Sequence, residues 1–511
     1  MDQKITRLAE TYRPLAVEIL KEAIRIPADH VDLPPEQGGD AACGLSNHEG
    51  PRLEYLRSKI VEIGAVDCAQ DVGFDTFGNL EWVVQDRRDR VLPEEKTVVY
   101  LDGHTDTVQA LRARWHEAAG GGLDPYLGLT DPARVDRNFL EEELGWLPPE
   151  EEWPSLVWGR GAADQLGGVV CQIIATKILR ELRDKGALHG VVVRSYGTVA
   201  EEDNDGGGPM HIMRTVLPGA GADRIPDVFI LTEGTGCAEQ GAAGMYRGQR
   251  GRMQIEVEVT GQSCHGSMPW EGRNPLEYGG AIVAEAADRT ARGEGFKTDP
   301  FLGPGSRTAS WAVLETPSDC AVPERFTIRF DRRLTAGEDP AAAMADVESM
   351  STVARARKAG LAVAVRVPVY DRPTWKGAVP ANPQIYPGWV TPEDHPAIRA
   401  AVETYRRVSA PLIQEGGTGG SLRKEPRVAR WVFSTDGVGV PVRAGDTTIH
   451  VPASKQWINT GVIKHPAMLG IGPGIEQNTH KIGECVDTRE LPVVIAFLAR
   501  FPGLYHQNRS T

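Results

Sequence analysis

Thr97-Val98-Val99-Tyr100-Leu101-Asp102-Gly103-His104-Thr105-Asp106-Thr107 is a short apolar run that ends in a polar turn. The run reads as a strand buried in a sheet. A histidine directly after such a strand lies at the sheet's carboxyl edge, where α/β proteins build their sites. Asp106, two residues on, is spaced to hold the imidazole in one tautomer. Similar apolar runs bounded by turns occur at 80–84, 190–196 and 228–232. Between and before them the spacing is helical: Ile5, Leu8, Ala9, Tyr12, Leu15, Ala16, Ile19, Leu20, Ala23 and Ile24, stopped by Ile26-Pro27, then 53–63 and 167–182. Strands alternating with helices predict an α/β fold with helices on both sides of a central mixed sheet.

The grammar changes near Gly248. Residues 253–260 alternate like a half-buried antiparallel strand, 275–291 is helix-like, 326–330 alternates again, 341–358 is helical and 362–369 strand-like. That order predicts a small α+β module inserted at 248–372, within a larger domain made of 1–247 and 373–511 that ends in a helix near 493–500. Two stretches look like elaborations. Residues 110–155 carry Glu141-Glu142-Glu143 and Pro148-Pro149-Glu150-Glu151-Glu152, and 411–427 is Gly-rich and polar. Both are expected to be surface loops or lids.

At 511 residues the chain is too long for one ordinary core. Its apolar share of 41% and charged share of 25% are ordinary globular values. A formal charge of −14 without a compensating Lys/Arg cluster argues against nucleic acid or an anionic membrane as partner. No segment has the length and apolarity to cross a bilayer, and no apolar stretch follows the N-terminal residues. Cys43, Cys68, Cys171, Cys237, Cys264, Cys320 and Cys485 are scattered singly, which fits a reducing compartment. A soluble cytoplasmic protein is the expectation.

Three further carboxylate motifs share the sheet edge with His104. Gly159-Arg160-Gly161-Ala162-Ala163-Asp164 presents Asp164 just ahead of a helix, Glu201-Glu202 follow one strand, and Glu233 follows the next. Carboxylates gathered on one edge repel strongly in low dielectric unless cations neutralise them. Gly472-Pro473-Gly474 then leads to Asn478-Thr479-His480, with Glu484 four residues later. The mixed nitrogen and oxygen donors suit zinc, with Co(II) or Mn(II) as substitutes.

In this order the motifs resemble those of the dinuclear-zinc amidohydrolases and peptidases that include succinyl-diaminopimelate desuccinylase, acetylornithine deacetylase, aminoacylase and glutamate carboxypeptidase. The resemblance implies a zinc-peptidase-like catalytic domain with an inserted dimerisation or lid domain, and two divalent cations. His104 and Glu233 would complete one metal site, Glu202 and His480 the other, with Asp164 bridging both. Asp106, Glu201 and His265 would be the catalytic residues. Glu201 would serve as the unligated general base toward a hydroxide held between the cations. Gly261-Gln262-Ser263-Cys264-His265-Gly266-Ser267 is similar to the family's dimerisation module, which implies a homodimer in which His265 reaches the partner's active site and steadies the oxyanion. Asp331-Arg332-Arg333 resembles a substrate-gripping element, making Arg333 the candidate for a substrate carboxylate. Ser434 and Thr435, in Phe433-Ser434-Thr435-Asp436-Gly437, would line the substrate cleft.

The implied activity is hydrolysis of an amide bond in a small N-acyl amino acid or related carboxylate-bearing substrate. The alternatives are a dipeptidase, a carboxypeptidase or an amidase for an unusual amide compound. A catalytically silent metal-binding scaffold is disfavoured by the intact Glu201-Glu202 pair. Leu166 stands where relatives often carry Lys, Cys320 where an Asn often helps bind substrate, and 441–467 lengthens the approach to His480. These departures bear on substrate choice and remove no ligand.

Overall fold

The computed structural model describes residues 1–40, 44–117, 124–129, 131–145, 147–217, 222–413, 422–423, 425–440, 448–451, 456–459 and 466–509. Four apolar runs form the parallel centre of a mixed sheet with nine described strands. Thr97–His104 lies between Val191–Thr198 and Val228–Leu231, and Ala467–Gly470 extends the parallel set beyond Val228–Leu231. Every residue of Thr97–His104 and Val191–Thr198 is buried, as a strand covered on both faces must be. Leu80–Gln85 and Val72–Phe74 extend one edge antiparallel, while Met245–Gln249, Trp389–Val390 and Val428–Trp431 extend the other.

The two-residue period of the central strand divides its side chains between two cores. Val99 and Leu101 join the core shared with helices Asp2–Ile24, Gly167–Glu181, Pro396–Leu412 and Leu491–Arg509. Val98 and Tyr100 join an aromatic-rich core with Tyr196, Phe229, Tyr246, Trp389 and Trp431 on the opposite face. Because the four central strands run parallel, their carboxyl ends share one edge. The turns carrying His104, Glu201-Glu202 and Glu233, and the loop leading to His480, all leave from that edge.

A second, antiparallel sheet has the order Ser306–Glu315, Arg325–Leu334, Gly251–Thr260, Ala362–Arg366, and Ile385–Tyr386 also pairs with Gly251–Thr260. Helix Pro275–Ala291 starts where the Asn274 side chain accepts the Leu276 N–H, with Pro275 in the first turn. The helix expected over 341–358 is two helices, Pro340–Glu348 and Ser351–Lys358. The Glu285 carboxylate accepts the Ser351 and Thr352 N–H groups, giving the second helix its own N-terminal cap. Strand Ser306–Glu315 was not anticipated. It is the sheet's edge, with Trp311, Val313 and Leu314 exposed, so it lacks the in–out alternation by which its neighbours are legible.

The acidic stretch 110–155 is not a solvated loop in its described part. Arg112–Glu117 and Arg137–Leu144 are helical, and Trp115, Leu129, Leu140, Leu144, Trp153, Leu156 and Trp158 form a separate core that also takes in Ile482 and Cys485. Glu141, Glu142, Glu150 and Glu151 are exposed around apolar residues that the charge count conceals. The 411–427 and 441–467 stretches lie largely outside the described residues, as does Cys43. Within 441–467, Thr448–Val451 pairs antiparallel with Gln456–Asn459.

Candidate metal centre

The site is assembled from five separate segments. His104 ends its strand fully buried, Asp164 lies in the turn before helix Gly167–Glu181, Glu201 and Glu202 follow Val191–Thr198, Glu233 follows Val228–Leu231, and His480 follows the Gly472-Pro473-Gly474 turn. Asp164 directs one oxygen at each histidine: Oδ1 is 2.9 Å from His104 Nε2, and Oδ2 is 3.0 Å from His480 Nε2. His104 Nε2 is also 3.6 Å from Glu233 Oε2 and 3.9 Å from Glu201 Oε2, while His480 Nε2 is 3.2 Å from Glu202 Oε2. Three overlapping sets of donor atoms each fit within 4.8 Å: His104/Asp164/Glu233, Asp164/Glu202/His480, and His104/Glu201/Glu202. The first two are the two ligand groups that the family resemblance implies.

Surrounding contacts orient these donors. His104 Nδ1 faces the Asp106 main-chain oxygen at 3.0 Å and its Oδ1 at 3.5 Å. Both are acceptors, so the proton belongs on Nδ1 and the Nε2 lone pair is left for a cation. Asp106 Oδ2 accepts from Glu201 N at 3.0 Å, Glu202 N at 2.9 Å and Ser46 Oγ at 2.7 Å. One aspartate thus ties the histidine to the Glu201-Glu202 turn. Ala200 and His480 both have left-handed backbones, φ 62° and 63°, which side-chain-bearing residues adopt where the surroundings over-determine them.

Two orienting residues escaped the sequence reading. Glu484 Oε1 accepts the N–H groups of Ala163 and Asp164, both at 3.0 Å, and its Oε2 accepts from Arg160 Nη1 at 2.7 Å in a fully buried ion pair. Gln165 Nε2 donates to Glu233 Oε2 at 2.6 Å. The sequence signal for the first was present, because Arg160 and Glu484 sit inside the two ligand motifs. Nothing along the chain pairs residues more than 300 positions apart.

The electrostatics fit cations. Burial drives the proton affinities of Glu201, Glu202 and Glu233 upward, Glu233 to about 8. The Glu202 carboxylate pulls His480 up to about 12. Burial opposes charge on Asp164, yet the two histidines outweigh it and hold its carboxyl well below the usual range. Glu233 Oε1 is buried with no hydrogen-bond partner among the described residues. A buried carboxylate oxygen left bare beside imidazole lone pairs is the donor set a divalent cation completes.

The other expected site residues lie elsewhere. His265 is exposed on the short strand Cys264–His265, with Nδ1 accepting from Ser267 N at 3.1 Å and 2.8 Å from Ser267 Oγ. Arg333 is engaged by Asp331 and by Ser434 Oγ at 2.9 Å. Ser434 Oγ donates to Asp205 Oδ1 at 2.8 Å, and Thr435 Oγ1 donates to Gln249 Oε1 at 2.8 Å. Leu166 is buried in the main core, and Cys320 is exposed.

Comparison with known proteins bears on the family and the fold. Residues 247–356 match the peptidase dimerisation domain of the M20 family. The chain is 32% identical over 406 residues to the uncharacterized protein YgeY of Escherichia coli (strain K12), covering 79% of this chain and 80% of that one. It is 29% identical over 169 residues to a probable succinyl-diaminopimelate desuccinylase of Staphylococcus aureus (strain MRSA252), covering 32% of this chain and 37% of the relative. The fold matches an M20 family metallo-carboxypeptidase from Sulfolobus solfataricus with a TM-score of 0.59 at 14% identity, over 96% of this chain and 99% of that one. A relative aligned along four-fifths of the chain, a dimerisation domain within the antiparallel module and a shared overall fold together make this protein a hydrolase of the M20 metallopeptidase family.

Proposed function

We propose that the protein hydrolyses the amide bond of a small N-acyl amino acid or related carboxylate-bearing substrate, with Glu201 as general base. The carrying observation is Asp164, whose two oxygens face two histidines at 2.9 and 3.0 Å while Glu201 stands beside the group. His104, Glu233 and Asp164 would hold one divalent cation of zinc type, and Glu202, His480 and Asp164 the other. When bound, such a pair polarises a scissile carbonyl and lowers the pKa of water. Glu201 takes the proton from the attacking water and hands it to the departing nitrogen. Asp106 keeps the Nδ1 proton of His104 in place through its main-chain oxygen and, through Oδ2, holds the backbone of Glu201 and Glu202. The 248–372 unit acts as dimerisation and lid domain, and the partner subunit's His265 steadies the oxyanion. Its exposure on the module matched by the dimerisation-domain family supports that role. Arg333, Ser434 and Thr435 would line the substrate side.

The cytoplasm is the proposed location. Six cysteines are free among the described residues, and no described helix is long and apolar enough to cross a membrane. The deciding experiment loads the protein with zinc or cobalt, presents a panel of N-acyl amino acids and dipeptides, and follows amine release. Chelator-sensitive cleavage of N-acyl amino acids is expected. Cleavage of dipeptides alone would replace deacylation with peptidase activity, and no cleavage of either class would end the proposal.

A further inference from the structure

The loop that follows Glu201 and Glu202 is held from two sides by unrelated parts of the molecule. Its first half hangs from Asp106, as described above. The next three residues, Asp203, Asn204 and Asp205, each take a contact from the antiparallel module or the segment leaving it. Asp203 Oδ2 accepts from Tyr370 OH at 3.2 Å and from Leu45 N at 2.7 Å. Asn204 Oδ1 accepts from Tyr386 OH at 2.5 Å, and Asp205 Oδ2 accepts from Arg252 Nη1 at 2.6 Å. Asp205 Oδ1 takes the Ser434 hydroxyl, which itself accepts from Arg333 Nη1.

These contacts are in register. Tyr386 pairs directly with Arg252 across one strand boundary, and Arg252 pairs with Arg333 across the next. One transverse row of the sheet therefore presents a phenol and two guanidiniums to Asn204, Asp205 and Ser434. Asp331 locks the row from within, accepting from Arg252 Nε at 3.0 Å and Arg333 Nε at 2.7 Å. Asn204, Asp205 and Tyr386 are all buried, so little water competes for these bonds. Ala200 and Asp205, which bracket the loop, are both left-handed at φ 62° and 45°. Non-glycine residues keep that conformation where neighbours impose it.

We infer that the row Tyr386–Arg252–Arg333 is a clasp by which the antiparallel module sets the position of the Glu201-Glu202 turn. Arg252 and Tyr386 are positioning residues: they touch Asp205 and Asn204 of the loop, and the loop carries the proposed base and one proposed ligand. The catalytic consequence rests on the function proposed above, whereas the mechanical coupling does not.

The test uses the full-length protein with Tyr386→Phe, Arg252→Gln, the double variant, and Arg252→Lys as the conservative control. Hydrogen exchange is read at the amides of 200–206, Co(II) affinity by titration, and kcat and KM on whichever N-acetyl amino acid or dipeptide the wild type cleaves. In the double variant the 200–206 amides are expected to exchange at least tenfold faster while 253–260 keeps its protection. Co(II) should bind about tenfold more weakly, and kcat should fall at least tenfold with KM within twofold. Arg252→Lys should recover part of each effect. A folded double variant with 200–206 exchange and Co(II) affinity within twofold of wild type would overturn the clasp. If the double variant does not fold, Tyr386→Phe, which removes one oxygen, decides by the same exchange readout at a threefold threshold. If the wild type neither binds Co(II) nor cleaves any substrate, the hydrolase reading fails, and the exchange data still decide for or against the clasp.

Discussion

At the residue scale, the division of labour among neighbouring acids can be tested one side chain at a time. Glu201 is buried beside the donor cluster without belonging to either ligand group built on Asp164. Glu201→Ala should keep both metals and lose about 10²- to 10⁴-fold in turnover, the usual worth of a general base. Elemental analysis alongside steady-state rates separates this from loss of metal. Glu484 should behave oppositely. Glu484→Gln leaves the Arg160 guanidinium buried and unpaired, so a stability loss of about 3–5 kcal/mol is expected in denaturant titration. It should also weaken metal retention, because the Ala163 and Asp164 N–H groups lose their charged acceptor. Glu490 carries a pH dependence. Burial, with Asp487 adding to it, pushes its carboxyl up to about 8, against an ordinary value near 4.5. The folded protein keeps that proton between the two values while the unfolded chain releases it, so stability falls as pH rises from about 4.5 to 8. Glu490→Gln should flatten that fall, read as the midpoint of urea unfolding at pH 5 and pH 8.

At the element scale, the unexpected structure is the acidic stretch. Its helix Arg137–Leu144 packs under the segment that follows His480: Lys481 Nζ donates to Leu144 O at 2.8 Å, and Ile482 shares a core with Leu140 and Trp153. Leu140→Ala should cost about 2–5 kcal/mol, the range for emptying a packed leucine site. A solvated loop would tolerate the change within about 0.5 kcal/mol. Denaturant unfolding makes the comparison, and metal content would report whether support for His480 is lost as well. Elements with a strong period were legible. The 275–291 helix and the strands that begin at Leu80 and Thr97 were readable from apolar spacing alone. Ser306–Glu315 was not, because an edge strand buries neither face fully. The 341–358 break was hidden too, since Glu285, which caps its second helix, lies more than 60 residues away.

At the scale of the whole molecule, the proposed homodimer can be tested at the exposed edge strand and at the exposed His265. A strand carrying Trp311, Val313 and Leu314 in the open is the kind of edge that proteins normally cover. Trp311→Glu with Val313→Glu should convert a dimer to a monomer in analytical ultracentrifugation and depress activity together with it. Mixing His265→Ala subunits with Glu201→Ala subunits should restore part of the activity if each site borrows a histidine, and no recovery would rule out sharing. The types and order of the candidate donors, and the attachment of His104, Glu201, Glu202 and Glu233 to strand ends, were determined by the sequence itself, because a parallel sheet brings the ends of its strands to one edge whatever the loops do. Only the tertiary structure decided that Glu484 and Arg160 hold Asp164 in its place, and that Arg333 is tied to Ser434. Those are contacts across tens to hundreds of residues, set by packing and register, and no local pattern in a chain encodes which distant side chain will fill the space beside it.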